Sequence, residues 1–328
     1  MSTAAAVPAS TAQPVICLAG PTGAGKSAAA LALAERFGGV IVNADSRQVY
    51  HDFPVITAQP SPEEQTRAPH RLYGFLSTRK SISAGRWVAL ARSEIEAAHT
   101  AGKLPIIVGG TGLYMRALFD GMADIPDIAP DIHEALINLG RLQGLSVLYG
   151  RLRQVDPPSA ERIHPNDKQR ILRALEVFES TGKPLSWWHE HARGTVPSWP
   201  VLRLGVKLEL TELTPLLGAR IETMLARGAE AEARSAMLRC ADPGAPGWSG
   251  IGCIELFSWI TGELDEAEMR RQWLAHTRSY AKRQLTWFRP DTRIEWFGPH
   301  ETKRLLERTE AFVRPVRPGT GLSPDNGA

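Results

Sequence analysis

A glycine-rich loop near the amino terminus constrains the fold of this chain more than any other segment. Its spacing, G-x-x-x-x-G-K-[ST], is met by Gly20, Pro21, Thr22, Gly23, Ala24, Gly25, Lys26 and Ser27. The loop follows an apolar stretch at 14–19 and precedes a helical pattern at 27–37. A strand, a glycine loop and a helix in this order predict a phosphate-binding loop, and a plain connecting turn is the alternative.

Each residue type in this segment, called the phosphate loop below, suits an anionic phosphate group. Glycines let backbone N–H groups curl around phosphate oxygens, and the following helix directs the positive end of its dipole at them. Lys26 adds a positive charge, and the Ser27 hydroxyl can bind Mg²⁺. The sequence therefore predicts a phosphate compound with Mg²⁺ as cofactor, without identifying the compound.

Apolar stretches typical of buried strands alternate with helical patterns and lie at 14–19, 39–44, 104–108 and 201–208. This alternation predicts an α/β fold, a P-loop NTPase-like parallel sheet flanked by helices. Parallel sheets bind ligands beyond the carboxyl ends of their strands. We therefore expect the phosphate loop, Asp45 and the glycine turn at 109–112 to converge on one crevice.

The strand pattern stops after residue 121, and the next stretch is helical without a clear strand. We predict an inserted, mostly helical subdomain at 122–199 that binds tRNA if the resemblance described below holds. The core domain then comprises 14–121 and 200–313, and its last part is helical, with helices predicted at 213–238 and 252–288. The end segments at 1–13 and 314–328 have the small-residue and Pro/Gly-rich composition of disordered tails.

The composition of the 328-residue chain indicates a globular protein of a reducing compartment. The formal net charge of +3 is too small to indicate nucleic-acid binding by itself. No apolar run has the length of a membrane span, and no basic segment precedes an apolar stretch as in a secretory signal. The three cysteines are odd in number and lack C-x-x-C spacing, which argues against a disulfide framework and against a zinc site. We expect a cytoplasmic protein without membrane attachment.

The distribution of charge is more informative than its sum. Between residues 269 and 290 there are six basic residues, among them Lys282 and Arg283, four aromatic residues and no acid. Cations for phosphates mixed with aromatic rings for bases suit RNA. An amphipathic helix with its rings in the core explains the same composition, so both interpretations stay open.

Several further residues have side chains suited to chemistry or recognition. Asp45 ends the second strand, where a carboxylate can bind Mg²⁺, act as a base or simply cap a turn. The Gln48 amide can pair with an adenine edge. Thr111 lies in a flexible glycine turn. Arg170 and Arg173 are one helical turn apart, so they can either contact backbone phosphates or form a solvated helix face.

Together these motifs resemble those of bacterial tRNA dimethylallyltransferases. The resemblance covers about residues 14 to 297 and includes the phosphate loop, Asp-Ser-Arg-Gln-Val-Tyr at 45–50, Gly-Gly-Thr-Gly at 109–112, Ile-His-Pro-Asn-Asp at 163–167 and Lys-Arg-Gln-Leu-Thr-Trp at 282–287. It implies transfer of a dimethylallyl group from its diphosphate to N6 of adenosine 37, in tRNAs that read codons beginning with U. It also implies a base flipped out of its stack, dimethylallyl diphosphate and the tRNA anticodon stem-loop as partners, and a monomer.

The resemblance also implies roles for individual residues. The phosphate loop with Lys26 and a Ser27-held Mg²⁺ would bind the diphosphate, Arg220 would add a second cation there, and Asp45 would accept the N6 proton. The residues implied in tRNA binding are Asp45, Ser46, Arg47, Gln48, Thr111, Gln169, Arg170, Ile171, Leu172, Arg173, Lys282 and Arg283.

The chain departs from the family pattern at three positions. Ile56 stands where a glycine is usual, Gln59 where a lysine is usual, and Cys253 where a tyrosine is usual. Two other functions compete with the transferase: a P-loop kinase of a nucleotide or small metabolite, and a non-catalytic RNA-binding or nucleotide-switch module.

Overall fold

The structure is a computed structural model and describes residues 13–191, 194 and 196–313. Apart from Gln13, the tails predicted at 1–13 and 314–328 lie outside these residues. The strands are β1 Val15–Ala19, β2 Gly39–Asn43, β3 His70–Arg71, β4 Leu104–Gly109, β5 Val201–Val206 and β6 Glu295–Phe297. The helices are α1 Lys26–Phe37, α2 Pro62–Arg67, α3 Ala84–Thr100, α4 Gly112–Asp120, α5 Pro130–Gln143, α6 Leu145–Val155, α7 Pro157–Arg162, α8 Lys168–Thr181, α9 Leu185–His191, α10 Leu210–Ala226, α11 Ala229–Arg239, α12 Cys253–Ile260, α13 Glu266–Phe288 and α14 Thr302–Val313.

The strands form one sheet in the order β3-β2-β4-β1-β5-β6, and all neighbouring pairs are parallel. The predicted parallel α/β sheet is thus confirmed. Every residue of β1, β2 and β4 is buried, as expected for strands covered on both faces. The sequence does not predict β3 and β6, since two and three residues are too few to show an apolar pattern.

Strand register brings three loops to one edge of the sheet. Ala19 at the end of β1 pairs with Gly109 of β4, and Asn43 at the end of β2 pairs with Val108. The segments that follow these strands therefore leave the sheet side by side. Below them, Ile16 and Ile106 of the sheet pack with Leu33 of α1 in the main apolar core.

A second apolar cluster packs around Trp248, which is fully buried. The rings of Phe53 and Phe257 each lie 4.9 Å from its indole ring, and its Nε1 donates a hydrogen bond to the Cys240 carbonyl at 2.8 Å. This cluster contains residues from α10, α11, α12 and α13 and so packs these four helices together.

Two helical stretches predicted from the sequence are each interrupted once. The stretch at 213–238 divides into α10 and α11 at Gly228, and the stretch at 252–288 divides into α12 and α13 at Gly262. Both glycines have positive φ, 93° and 82°, which glycine adopts without the steric cost that other residues meet.

The described chain forms two compact units. One contains the residues up to Met115 and from Ser198 onward, and the other is Arg116–Pro197. The boundary predicted at 122 lies six residues later than this one, because α4 is a continuous helix that crosses the division and gives no loop signal.

The second unit is built from α5–α9, with no strand among its described residues. Its core includes Leu148, Leu152, Ile171 and Leu175, all fully buried. Asp156 joins two of its helices, since its carboxylate accepts hydrogen bonds from the backbone of Ser159 and Ser186, at 3.1 Å each. In the described part of the chain, no helix combines the length and apolar character needed to cross a bilayer.

Candidate active site

The phosphate loop connects β1 to α1 through backbone that only glycine accepts easily. Gly20 has φ 147°, and a Cβ built there would lie 2.1 Å from the Val206 carbonyl oxygen. Gly25 precedes α1 with φ 93°, and no side chain caps this helix. The amides of the first helical turn have no acceptor within the helix. They are therefore oriented to bind an anion at the loop.

Two groups of the loop already have partners within the protein. The Thr22 N–H donates to Oε1 of Gln284 at 2.8 Å, and Nζ of Lys26 donates to the Pro21 carbonyl at 2.7 Å. The Thr22 N–H is therefore held by a side chain of α13 and is not directed at a ligand. Lys26 would exchange its hydrogen bond to the Pro21 carbonyl for one to a phosphate oxygen.

Lys26, Asp45 and Arg220, which the resemblance assigns to one site, interact electrostatically. Burial lowers the pKa of Lys26 to about 8, with the attraction of Asp45 opposing and the repulsion of Arg220 adding to this effect. Burial also lowers the pKa of Arg220, against the attraction of Asp45. Both cations are thus poorly solvated and would gain from an anionic ligand.

Asp45 is fixed at the end of β2 by a local hydrogen-bond network. Asn43, fully buried, accepts from the Asp45 N–H at 2.8 Å and donates to the carbonyls of Asp45 and Leu72 at 3.0 and 2.9 Å. The Asp45 carboxylate accepts from the Arg47 N–H at 2.8 Å. Sequence reasoning missed Asn43, although a lone amide in an apolar strand is a usable signal.

Thr111 links the end of β4 to the end of β2. Its hydroxyl oxygen accepts from the Ser46 N–H at 2.9 Å, and its own N–H donates to the Ala44 carbonyl at 3.2 Å. The Tyr280 side chain of α13 lies close to the Thr111 side chain, and burial followed by the charge of Asp45 raises the pKa of Tyr280. The structure therefore places Ser46, Thr111 and Tyr280 around Asp45.

Gln48 is oriented differently from the sequence-based expectation. Its Nε2 donates to the carbonyls of Thr57 and Ala58, at 3.0 and 2.7 Å. Both donors of the amide are therefore in use. An adenine could reach only Oε1, so the two-sided pairing predicted from the sequence does not fit this arrangement.

A cavity of about 180 Å³ opens beside Asp45 and combines a polar end with an apolar wall. Its polar lining includes Thr22, Asp45, Arg47, Arg220, Tyr280 and Arg283, and its apolar lining is Ile56, Leu217, Ile221, Met224, Ile251 and Trp273. A second cavity, of about 190 Å³, is lined by Ser27, Gln48, Gln59, His70, Arg220 and Arg227 among others. Arg220 borders both.

The residues at the departures from the family pattern have structural partners. Ile56 is buried in the cluster around Trp248 and lines the first cavity, and its N–H donates to Glu232 at 2.8 Å. Gln59 donates from Nε2 to the Tyr50 carbonyl at 2.8 Å. Cys253 is fully buried. None of these changes removes a group of the phosphate loop or Asp45.

The predicted RNA-binding residues of the second unit differ in burial, and only some of them are exposed. Ile171 and Leu172 belong to its apolar core, so their prediction as RNA contacts is wrong for the side chains. Gln169 and Arg170 are exposed, and Arg170 forms an ion pair with Asp167 at 3.4 Å. Arg173 is also exposed.

The basic segment of α13 has the buried rings of an amphipathic helix, and it also has cations at the surface. Trp273 and Phe288 are buried, as in an amphipathic helix. Lys282 and Arg283 are exposed, and Arg283 lies over the Tyr280 ring at 5.6 Å at the cavity lining. Rings in the core and cations at the surface thus coexist on this helix.

A single Mg²⁺ ligand from the protein is consistent with the site. The Ser27 side chain is exposed in the first turn of α1, beside the anion-binding amides. The described residues contain no group of three or more His, Cys, Asp or Glu able to hold a metal. Mg²⁺ often binds through one protein oxygen, substrate phosphates and waters, so the site fits this mode.

Comparisons with known proteins give one consistent result. A family model described as IPP transferase matches residues 48–291. A tRNA dimethylallyltransferase of Nitratidesulfovibrio vulgaris strain DP4 is 54% identical over 300 residues, which are 92% of this chain and 97% of that protein.

Solved structures agree with the sequence matches. A eukaryotic dimethylallyltransferase, described as acting on tRNA, aligns with a TM-score of 0.80 and 28% identity over 93% of this chain and 81% of the other. A tRNA isopentenylpyrophosphate transferase of Bacillus halodurans aligns with a TM-score of 0.67 and 27% identity, over 92% of this chain and 97% of the other.

Proposed function

The chain belongs to the IPP transferase family, and we propose that it transfers a dimethylallyl group from dimethylallyl diphosphate to N6 of adenosine 37 in tRNA. Pyrophosphate is the second product. One observation carries this proposal: the Asp45 carboxylate, Thr22 of the phosphate loop and an apolar wall border one cavity, and Arg220 lines both this cavity and the one that contains Ser27. These are the groups needed for a diphosphate, an amine and a hydrocarbon chain.

In this reaction the bond from allylic carbon to diphosphate oxygen breaks, and a bond from that carbon to N6 forms. The leaving group gains negative charge, which Lys26 and Arg220 stabilise from a poorly solvated site. N6 loses a proton, and the Asp45 carboxylate is the base that we assign to it. The apolar wall shields the allyl group, which carries partial positive charge during transfer, from water.

The role of Asp45 depends on its local supports. Asn43 fixes the Asp45 backbone, and the Arg47 N–H fixes its carboxylate. The Asp45 side chain therefore needs little further ordering when the adenine binds. We propose that the adenine enters between Asp45 and Thr111, with Ser46 and Tyr280 at the same edge. An adenine in a stacked anticodon loop could not reach such a cavity, so the base must leave its stack.

Mg²⁺ is part of the proposal, held at Ser27. When bound, the ion would neutralise charge on the diphosphate oxygens. The first-turn amides of α1 and Lys26 would bind the remaining oxygens.

The tRNA contacts proposed here come from both units. In the first unit they are Ser46, Arg47, Gln48 through Oε1, Thr111, Lys282 and Arg283. In the second unit they are the exposed residues Gln169, Arg170 and Arg173, whose side chains suit backbone phosphates. We also propose that the enzyme is a cytoplasmic monomer. The three cysteines are free and buried, which suits a reducing compartment.

A P-loop kinase would use Lys26 and Ser27 equally well, but the apolar wall beside Asp45 is less suited to a phosphoryl acceptor. The test is incubation of the purified chain with dimethylallyl diphosphate, Mg²⁺ and unmodified tRNA, followed by nucleoside mass analysis of position 37. We expect dimethylallyl-adenosine at that position, and its formation about 10²–10⁴-fold more slowly with Asp45→Asn. ATP turnover on a small acceptor, without modified tRNA, would refute the transferase.

A further inference from the structure

Gln284 joins the two loops that the proposed reaction must hold at a fixed separation. Its side chain is 3% exposed and lies between the phosphate loop and the glycine turn after β4. Its Oε1 accepts from the Thr22 N–H at 2.8 Å, and its Nε2 donates to the Gly110 carbonyl at 3.2 Å. An N–H can only donate and a carbonyl can only accept, so an amide is the neutral group that fits both.

The glycine turn is shaped to receive α13. A Cβ built on Gly110 would lie 1.9 Å from Nε2 of Gln284, and one built on Gly112 would lie 1.8 Å from the Trp287 ring. Both glycines therefore provide space for side chains one helical turn apart on α13. The contact of Gln284 with the turn is thus close and specific.

The glycine turn also supports the Asp45 carboxylate. Thr111 follows Gly110 and bonds the backbone on both sides of Asp45, at Ala44 and Ser46. A continuous series of hydrogen bonds thus runs from the Thr22 amide through Gln284 and the glycine turn to the flanks of Asp45. Gln284 is the only side chain in this series that contacts both loops.

We propose that Gln284 is a positioning residue that fixes the phosphate loop relative to Asp45, and so fixes the leaving diphosphate relative to the base that loses its proton. This inference rests on the proposed function. Because reacting groups must approach to near-contact distance, a shift of about 1 Å costs about 100-fold in rate. The effect belongs to the chemical step and not to substrate capture.

The test compares single-turnover rates at saturating tRNA and dimethylallyl diphosphate in the full chain. Gln284→Met keeps the side-chain length and removes both hydrogen bonds. We expect a rate about 10- to 100-fold below wild type, with dissociation constants for tRNA and diphosphate changed by less than about threefold. Gln272→Met is the matched control, because it makes the same substitution on the same helix outside the 282–287 motif, at an amide that donates to Glu268. It should react at the wild-type rate.

A second variant approaches the same contact from the other side. Gly110→Ala places a methyl group where Nε2 of Gln284 now lies, and should reduce the rate similarly. If one shared contact is responsible, the double variant should be no slower than the slower single variant. Additive effects, or Gln284→Met with a lower melting temperature and an unchanged single-turnover rate, would overturn the proposal.

Gln284→Glu covers the case in which the methionine variant does not fold. A carboxylate can accept from Thr22 but repels the Gly110 carbonyl, whereas a protonated carboxyl can do what the amide does. Its rate relative to wild type should therefore rise as the pH falls from about 8 to 6, since burial raises a carboxyl pKa. A pH-independent ratio near one would refute the proposal. If wild type and Gln272→Met give no product, the proposed function itself has failed.

Discussion

The titration of Lys26 should control the affinity for dimethylallyl diphosphate. In the free protein burial lowers the pKa of Lys26 to about 8, from the ordinary lysine value of 10.5. The charged form is therefore about 90% populated at pH 7 and about 10% at pH 9. If only the charged form binds well, affinity falls about tenfold over this interval, which is about 1.4 kcal/mol.

The sign of this dependence follows from the bound state. The diphosphate is an anion and stabilises the ammonium form, so binding takes up a proton where the free lysine is neutral. The last ionisation of a phosphate ester lies near pH 6, so the ligand itself changes little above pH 7. Affinity should thus be highest near neutrality and should decrease above pH 8.

The nearby tyrosines and His70 do not titrate in this interval. Burial raises the pKa of Tyr114 to about 12 and also raises those of Tyr73 and Tyr280. Burial lowers the pKa of His70, which is therefore neutral at pH 7. Arg220 retains its charge. A change between pH 7 and 9 is thereby attributable to Lys26.

The measurement is calorimetric titration of dimethylallyl diphosphate, without tRNA, at pH 7, 8 and 9. Buffers of different ionisation enthalpy also report the proton taken up. Lys26→Arg is the matched control, because an arginine stays charged throughout and should flatten the curve. A wild-type affinity that is constant or rises from pH 7 to 9, with no proton uptake, would refute the reasoning.

Three further predictions concern other parts of the molecule. Asp45→Asn retains an acceptor for the Arg47 N–H, so we expect single-turnover rates about 10²–10⁴ lower with tRNA affinity nearly unchanged; a rate close to wild type would exclude Asp45 as the base. Arg170→Gln and Lys282→Gln should each reduce the slope of log affinity for tRNA against log salt by about one, and an unchanged slope would mean that these cations are merely solvated. Asp52→Asn should lower the free energy of unfolding by about 2–3 kcal/mol in urea titrations at pH 7. Burial raises the pKa of Asp52, but hydrogen bonds from Thr78 and Arg239 outweigh it and the net pKa is lowered. The stability that the Asp52 carboxylate contributes is therefore present above the ordinary aspartate pKa and is lost as the pH falls below it. A difference in free energy of unfolding between wild type and Asp52→Asn that is the same at all pH values would contradict the assignment.

The local parts of the site could be predicted from the sequence because they follow from short patterns. The phosphate loop needs glycines at fixed spacing after a strand, and Asp45 needs only to end a neighbouring parallel strand. Periodicity likewise predicts β1, β2, β4 and β5, whose apolar runs are long enough to recognise.

Features that depend on distant contacts could not be predicted in the same way. The orientation of Gln48 is set by the Thr57 and Ala58 carbonyls, and no local pattern shows that its amide donors are used. Ile171 and Leu172 were implied as RNA contacts by their neighbours in a motif, but the helical period places them in a core. A motif identifies a segment, whereas burial decides which of its side chains meet a ligand.

The amide contact between α13 and the phosphate loop has a consequence for synthesis of the chain. Thr22 and Gln284 are 262 positions apart in the sequence, and Gly110 of the glycine turn is 174 positions from Gln284. A growing chain is made from its amino terminus and folds as units emerge. The phosphate loop leaves the ribosome long before α13 and is therefore among the last segments to reach its final geometry. Released fragments that end before α13 would retain the glycine-lysine motif and still lack an assembled catalytic centre.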